Sequence, residues 1–136
     1  IMLDFETLSA VIEKAKAAGN AAVEKLDVIP MIVGQETSLF SNKIDYSKPT
    51  YYVADGVCGF AWVDVYPANK GNTRVGKEER KILERFGFRK NDYEKSHQLW
   101  ISEFNQSMQK KETYARAFAE VLRANGLKAY SGSRMD

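Results

Sequence analysis

The first segment of the chain, residues 5–26, has apolar residues at intervals of three and four, which is the pattern of an amphipathic helix. The apolar stripe consists of Leu8, Val11, Ile12, Ala15, Ala22, Val23 and Leu26. Gly19, in the middle of the segment, lowers helix propensity by about 1 kcal/mol relative to alanine, so we expect a kink or a division into two short helices. Pro30 ends the segment, and residues 1–30 are therefore predicted to form an N-terminal amphipathic helix.

The next segment, residues 31–49, has no apolar period and is rich in Gly, Ser, Thr, Asn and Asp. This composition predicts a long loop, with one short strand at 31–33. Connections longer than about 12–15 residues are usually functional or mobile, which makes this loop a candidate partner-binding segment. The alternative is an ordinary surface loop held in place by Leu39 and Phe40.

The segment "TYYVADGVCGFAWVDVYP", residues 50–67, predicts a β-hairpin with a tight turn at Asp55 and Gly56. In a two-residue turn Tyr52 would lie opposite Gly59 and cover its bare backbone. Both faces of the second strand are apolar, so we expect a central strand that is covered on both sides. One face has Val57, Ala61, Val63 and Val65, and the other has Cys58, Phe60, Trp62 and Tyr66.

Four further elements follow the hairpin. We predict a helix over 77–86 that stops at Gly87, a strand over 97–104, a long helix capped by Ser107 that stops at Gly126, and a short strand over 127–130 before a polar tail. Strand, helix and strand succeed one another twice, with the spacing of crossovers between parallel neighbours. The predicted fold is thus a single α+β domain over 1–136, in which residues 50–136 form a four-stranded mixed sheet with packed helices.

Composition limits the possible chemistry of the 136-residue chain. Cys58 and His97 are its single cysteine and single histidine, which excludes an internal disulfide and any metal site that needs several cysteines or two histidines. No apolar run approaches the roughly 18–20 residues of a membrane span, and the N-terminus lacks the pattern of a signal peptide. We therefore expect a soluble, cytosol-compatible protein that does not contact membranes, and no motif implies a cofactor.

The net charge of +2 is unevenly distributed. Eight basic and three acidic residues between Lys70 and Lys90 give this stretch a charge of +5 and leave −3 elsewhere. Such a stretch can contact nucleic-acid phosphates, with Tyr93 close by in sequence for stacking. The alternative is a solvated helix face whose glutamates pair with its own cations.

Polar segments follow several predicted strands. If those strands are parallel, their C-terminal ends meet at one edge, where open sheets usually bind ligands. The N-terminus of the long helix would add free N–H groups and about half a positive charge. The predicted anion or nucleic-acid site consists of Lys70, Asn72, Arg74, Asn105, Gln106, Ser107, Lys110 and Arg134. The alternative is that Ser107 simply caps its helix, and "KGNTR" matches no phosphate-binding fingerprint.

No catalytic motif is present. Cys58, His97 and Asp64 have the composition of a nucleophile system, but a lone cysteine in a strand is usually a small buried apolar group. Trp62 and Trp100 are interpreted most simply as core residues, as is Phe118 in the long helix. We therefore expect a protein without catalytic residues.

Three segments, "YYVADGVCGFAWV", "FNQSMQKKETYARAFAEVLRANG" and "SRMD", resemble a family of small hypothetical proteins encoded by tailed bacteriophages. The resemblance covers about the last 90 residues. It implies expression in the cytoplasm of an infected bacterium and implies no activity. We expect a non-enzymatic accessory protein that binds a host protein, another host macromolecule or nucleic acid through its basic edge. The alternative is an enzyme or binder that acts on a small phosphorylated ligand at the same edge.

Overall fold

A computed structural model describes residues 4–27 and 57–136, together with the backbone of 31–33 and 51–53. Its elements in chain order are α1 (Phe5–Glu24), β1 (Met31–Val33), β2 (Tyr51–Val53), β3 (Gly59–Tyr66), α2 (Arg74–Arg85), β4 (Arg89–Asn91), β5 (Ser96–Trp100), α3 (Met108–Ala124) and β6 (Lys128–Met135). The α+β class and the N-terminal helix are confirmed. The predicted loop beyond residue 33 lies outside the described residues.

Helix α1 begins at Asp4, whose side chain caps it by accepting a hydrogen bond from the Thr7 backbone N–H at 2.8 Å. The helix then runs through Gly19 without the expected kink or division. A Cβ atom at Gly19 would lie 2.6 Å from Cδ2 of Tyr114 in α3. The glycine therefore allows α1 and α3 to approach closely, which explains its place in the middle of a helix.

Four strands form the main sheet, in the order β4-β5-β3-β6, and every neighbouring pair is antiparallel. The prediction of a mixed sheet with parallel neighbours is wrong in this respect. Each crossover helix does connect strands that run in the same direction, but another strand lies between them. The elements from β3 to β6 thus follow the order β-α-β-β-α-β, which is the split βαβ, or ferredoxin-like, arrangement.

The predicted hairpin between β2 and β3 is also wrong. Tyr52 pairs with Ile32 of β1, and Gly59 pairs with Met135 of β6. Strand β3 pairs with β6 along its whole length and with β5 along half of it, so β5 and β6 are its neighbours in the sheet and β2 is not. The Asp55-Gly56 turn itself lies outside the described residues.

The helix boundaries follow local signals. Thr73 caps α2 by accepting from the Gly76 N–H at 3.0 Å, so α2 begins at Arg74 rather than at 77. Ser107 caps α3 as predicted, accepting from the Lys110 N–H at 3.3 Å. Both predicted stops are confirmed by positive φ angles, 97° at Gly87 and 88° at Gly126.

The core lies between one face of the sheet and the helices. Small strand residues, Ala61, Val63, Val65 and Ala129, pack there against Leu8 and Ile12 of α1 and Phe118 and Leu122 of α3. The predicted alternation of β3 is therefore confirmed for its inward side, and Phe118 is confirmed as core. Strand β6 continues through Met135, so the predicted polar tail is part of the sheet. Among the residues described, no helix is long and apolar enough to cross a membrane.

Candidate functional site

The sheet face opposite the helices carries most of its large side chains. Cross-strand register places Trp62 beside Trp100 and Gly132, and Phe60 beside Arg134. We define the open face as Phe60, Trp62, Asp64 and Tyr66 of β3, Gln98 and Trp100 of β5, and Lys128, Tyr130, Gly132 and Arg134 of β6. No described helix covers it, which corrects the expectation that β3 is covered on both sides.

Aromatic rings form two groups on the open face, and together these groups are its aromatic layer. The ring centroids of Trp62 and Trp100 are 5.0 Å apart, and those of Phe60 and Trp100 are 5.8 Å apart. Tyr66 and Tyr130 form a second pair at 6.2 Å. Trp100 is 45% exposed and Tyr130 48% exposed, so the interpretation of Trp100 as a core residue is wrong.

Polar neighbours hold both indoles by their edges. Trp62 Nε1 donates to Asp64 Oδ2 at 3.1 Å, and Trp100 Nε1 donates to Gln98 Oε1 at 3.3 Å. Gly132 lets the Trp62 ring lie on strand β6, since a Cβ atom there would be 2.6 Å from Trp62 Cε2. The glycine covered by an aromatic ring is thus Gly132, whereas Gly59 was predicted. With their N–H groups engaged, the rings offer their faces for stacking.

Among the described residues, four cationic side chains lie near the aromatic layer, of which Arg123, Lys128 and Arg134 are exposed and Lys111 is buried. The Arg134 guanidinium lies 5.5 Å from the Phe60 centroid and 5.9 Å from that of Trp100. Lys128 lies 5.2 Å from the Tyr66 ring, Lys111 lies 5.8 Å from Phe60, and Arg123 lies 5.8 Å from Tyr130. An aromatic surface edged by cations can stack flat rings and attract a polyanion at the same time.

A shallow groove of about 440 Å³ crosses the centre of the open face. Trp62 and Trp100 line it, and Asp64 contributes a carboxylate that is 9% exposed. The turn between β4 and β5 adds Tyr93, which is 97% exposed, and Glu94. The groove therefore combines stacking surfaces with hydrogen-bonding groups.

The residues predicted to form one anion site are divided between the two ends of β3. Asn105, Gln106, Ser107 and Lys110 lie near its start, where the Gly59 N–H donates to Gln106 O at 3.0 Å and Cys58 bridges Ser107. Arg134, paired with Phe60, lies near the same end. Lys70, Asn72 and Arg74 follow the other end, about 24 Å away at 3.4 Å per residue. The predicted convergence is wrong because the strands are antiparallel.

Several of these residues have structural partners. Arg74 pairs with Glu78 at 3.7 Å on an exposed face, and the Lys70 carbonyl accepts from the Thr73 hydroxyl at 2.6 Å. Asn72 is exposed, and Asn105 has a φ of 53°. Arg134 is the one member of the predicted set that belongs to the open face. Anion binding at the others stays a prediction.

The nucleophile hypothesis is not supported by position. Cys58 precedes β3, whereas His97 pairs with Val65 near the far end of that strand. His97 is buried, and its Nε2 lies 3.4 Å from Glu84 Oε1. Burial lowers the pKa of His97, although the hydrogen bond that His97 Nε2 can donate to Glu84 opposes that shift. No group of three potential metal ligands occurs among the described residues.

A second concavity lies at the C-terminal end of β3. This cavity of about 390 Å³ has apolar walls from α1, β3, α2 and the turn before β6, including Leu8, Val65 and Leu83. Glu79 is buried beside it, and its Oε1 accepts from the backbone N–H and the Nδ2 of Asn69 at 3.1 and 2.9 Å. A carboxylate in an apolar wall favours uncharged or cationic ligands over phosphorylated ones.

The aromatic layer was missed because large apolar residues are usually buried. A signal was nevertheless present in "GFAWVDVY", where small residues alternate with Phe60, Trp62 and Tyr66. Helices packing closely on a sheet favour the small residues on their side. The larger side of such a strand is then the one left open.

No protein-family model matches this chain, and neither a curated protein nor a solved structure shows significant similarity to it.

Proposed function

We propose that this protein binds single-stranded nucleic acid by stacking bases on the open face. The observation that carries the proposal is the position of Trp62 and Trp100, the two tryptophans of the chain, on the face that no described helix covers. Burial of such large apolar groups stabilises a fold by several kcal/mol, and here Trp100 forgoes much of that gain. Contiguous exposed apolar patches of this kind usually mark binding sites.

The surroundings favour nucleic acid over an apolar protein partner. Arg123, Lys128 and Arg134 are exposed cations beside the rings, where they can contact the phosphates next to stacked bases. Four-stranded sheets with exposed aromatic residues on their central strands are an established platform for unpaired bases. Duplexes would not fit, because their bases are already stacked.

This proposal moves the expected nucleic-acid surface from a basic edge to the sheet face. It keeps the expectation of a non-enzymatic accessory protein. The resemblance to phage proteins supports a role in the cytoplasm of an infected bacterium, and we propose host or phage single strands as the ligands.

Intrinsic fluorescence provides a direct test, because both tryptophans belong to the proposed surface. Titration with a mixed-sequence 12-nucleotide single strand should quench the emission, and anisotropy of a labelled strand should give the affinity. Trp100→Ala should weaken binding by about 1–3 kcal/mol, the usual contribution of one stacked base. Circular dichroism checks that the variant is folded.

Phe5→Ala is the matched control. Phe5 is an exposed aromatic residue with an arginine, Arg85, 4.0 Å from its centroid, but it lies on α1, on the helix side of the sheet. The control should bind like the wild type. Absence of binding at low salt, or equal losses in the two variants, would overturn the proposal. A dimer in sedimentation experiments that buries Trp100 would instead identify a second copy as the occupant.

A second candidate function is supported by the cavity beside Glu79, and we propose it for a small ligand at the end of β3 where one was expected. The apolar walls and the buried carboxylate favour an uncharged or cationic molecule. Thermal-shift measurements with inorganic phosphate and with small aromatic amines would show whether the cavity binds an anion or an uncharged or cationic molecule. Stabilisation by phosphate alone would contradict the cavity as the site.

A further inference from the structure

An acidic side chain, that of Asp64, lies at the centre of the open face. Asp64 is the single acidic residue among the described strand positions that face this side. A carboxylate there repels phosphate, so it cannot serve the backbone of a bound strand. Its position between Trp62 and Gln98 instead brings it next to any base that stacks on the two indoles.

The Asp64 carboxylate retains hydrogen-bonding capacity. Its Oδ1 accepts from Ser96 Oγ at 2.9 Å, and its Oδ2 accepts from Trp62 Nε1 at 3.1 Å. An ionised carboxylate has about four acceptor sites, so about one remains on each oxygen. The two bonds also fix the orientation of the group, which favours a directional contact.

Two donor side chains line the same groove as this acceptor. Gln98 uses its Oε1 for Trp100 Nε1, which leaves its amide N–H groups as donors. The second donor is the Arg134 guanidinium. An acceptor pair with a donor in the same groove complements a base edge that has two adjacent N–H groups beside a carbonyl oxygen. Guanine, with N1–H, N2–H and O6, has such an edge.

We propose that Asp64 makes the open face select an unpaired guanine, by accepting from N1–H and N2–H while Gln98 or Arg134 donates to O6. This inference rests on the proposed nucleic-acid function. Uracil is disfavoured at this position, because its single N3–H lies between two carbonyl oxygens that the carboxylate repels. Adenine and cytosine present one amino group each, so their expected affinities lie between those of guanine and uracil.

The test compares oligouridine octamers that differ at a single internal position. Guanosine and inosine differ by the 2-amino group alone, so the ratio of their affinities measures the proposed N2–H contact. The wild type should bind the guanosine octamer about tenfold more tightly, as expected for one hydrogen bond to a charged group. In 1-methylguanosine the N1–H is blocked, and this base should bind as weakly as inosine or more weakly.

Three variants test whether the Asp64 carboxylate is the cause of the guanosine-to-inosine ratio. Asp64→Asn replaces one acceptor by a donor and should bring the guanosine-to-inosine ratio close to one. Ser96→Ala removes one of the two bonds that orient Asp64 but keeps the carboxylate, and should lower the ratio less than Asp64→Asn does. Glu120→Gln removes an exposed carboxylate on α3, on the helix side of the sheet, and should retain the ratio.

The outcomes separate the two proposals. Equal and tight binding of guanosine and inosine octamers by the wild type overturns the guanine inference and leaves the proposed function standing. A ratio that Asp64→Asn leaves unchanged, or that Glu120→Gln reduces as much, also overturns it. Failure of the wild type to bind any octamer at low salt overturns the proposed function itself. If Asp64→Asn does not fold, the inosine and 1-methylguanosine comparisons on the wild type decide.

Discussion

The two faces of the central strand β3 differ in the size of their side chains, and the difference is opposite to the one expected from burial alone. The face under the helices has Ala61, Val63 and Val65, all almost fully buried, whereas the open face has Phe60 and Trp62. The smaller side chains therefore occupy the drier side. Close packing of α1 and α3 over the sheet explains the small residues, since larger ones would separate the layers.

The side chains on the two faces of β3 are therefore subject to different requirements. On the helix side, side-chain size is set by the space between layers, and each group contributes to stability. On the open side the indole N–H groups bond to Asp64 and Gln98, and the rings are held in place without being covered. Such an arrangement keeps the aromatic surface rigid and accessible.

The largest expected effect is on the helix side. Phe118 is fully buried in α3, and Phe118→Ala should lower the free energy of unfolding by about 3–5 kcal/mol. Trp100→Ala, on the open face, should lower it by less than about 1 kcal/mol, as is usual for exposed positions. Urea denaturation of both variants measures the difference. Similar losses would show that the open face is also part of the core.

The next effect concerns the rigidity of the open face. Gly132→Ala places a methyl group within 2.6 Å of the Trp62 ring and should cost about 1–3 kcal/mol by overpacking. The displaced indole should also shift the tryptophan emission maximum. Gly71→Ala, whose Cβ would meet the flexible Arg80 side chain at 3.3 Å, is the matched control and should leave the emission unchanged. An unshifted spectrum in Gly132→Ala would contradict the rigid placement of Trp62.

A smaller effect is expected on the salt dependence of binding. Lys128→Gln removes one cation beside the Tyr66 ring and should reduce the slope of log affinity against log salt by about 0.7, the value for one single-strand phosphate contact. Lys77→Gln, on the exposed side of α2, should leave the slope unchanged. Equal changes would mean that the basic stretch between Lys70 and Lys90 contacts the strand too.

The smallest effect is a pH dependence from the helix side. Burial holds the pKa of His97 below its usual value in the folded protein, so the unfolded chain takes up a proton first as the pH falls. Stability from this residue is fully present above about pH 6.5 and declines below it. Urea midpoints at pH 7.5 and pH 5.5 should differ more in the wild type than in His97→Gln. A wild-type midpoint that rises in acid would contradict the assignment.

Local signals in the sequence predicted the helices well. The apolar stripe of α1, the Ser107 cap and the stops at Gly87 and Gly126 depend on neighbours within a few residues, and all are present. Strand partners depend on distant segments, and the strong turn signal at Asp55-Gly56 suggested a neighbour for β3 that β5 and β6 displace. The β-propensity of a segment does not show which of several strands will pair with it.

The candidate site was predictable only in part. The sequence predicts Arg134 as a site residue, but it predicts the site at an edge where the C-terminal ends of parallel strands meet. The antiparallel sheet has no such edge. Trp62 and Trp100 were assigned to the core from their size, because the sequence does not state which face the helices cover. The sequence suggests Asp64 only as a member of a nucleophile system, and its bonds to Trp62 and Ser96 are visible only in the structure.

The pairing of β3 with β6 also has a consequence for synthesis on the ribosome. About 60 residues separate Tyr66 from Lys128, and translation at 5–20 residues per second takes about 3–12 seconds to make them. During that interval Phe60, Trp62 and Val63 have no partner on one side of their strand. A nascent chain in this state is prone to aggregation, so slower growth at low temperature with chaperone supply should raise the yield of folded protein.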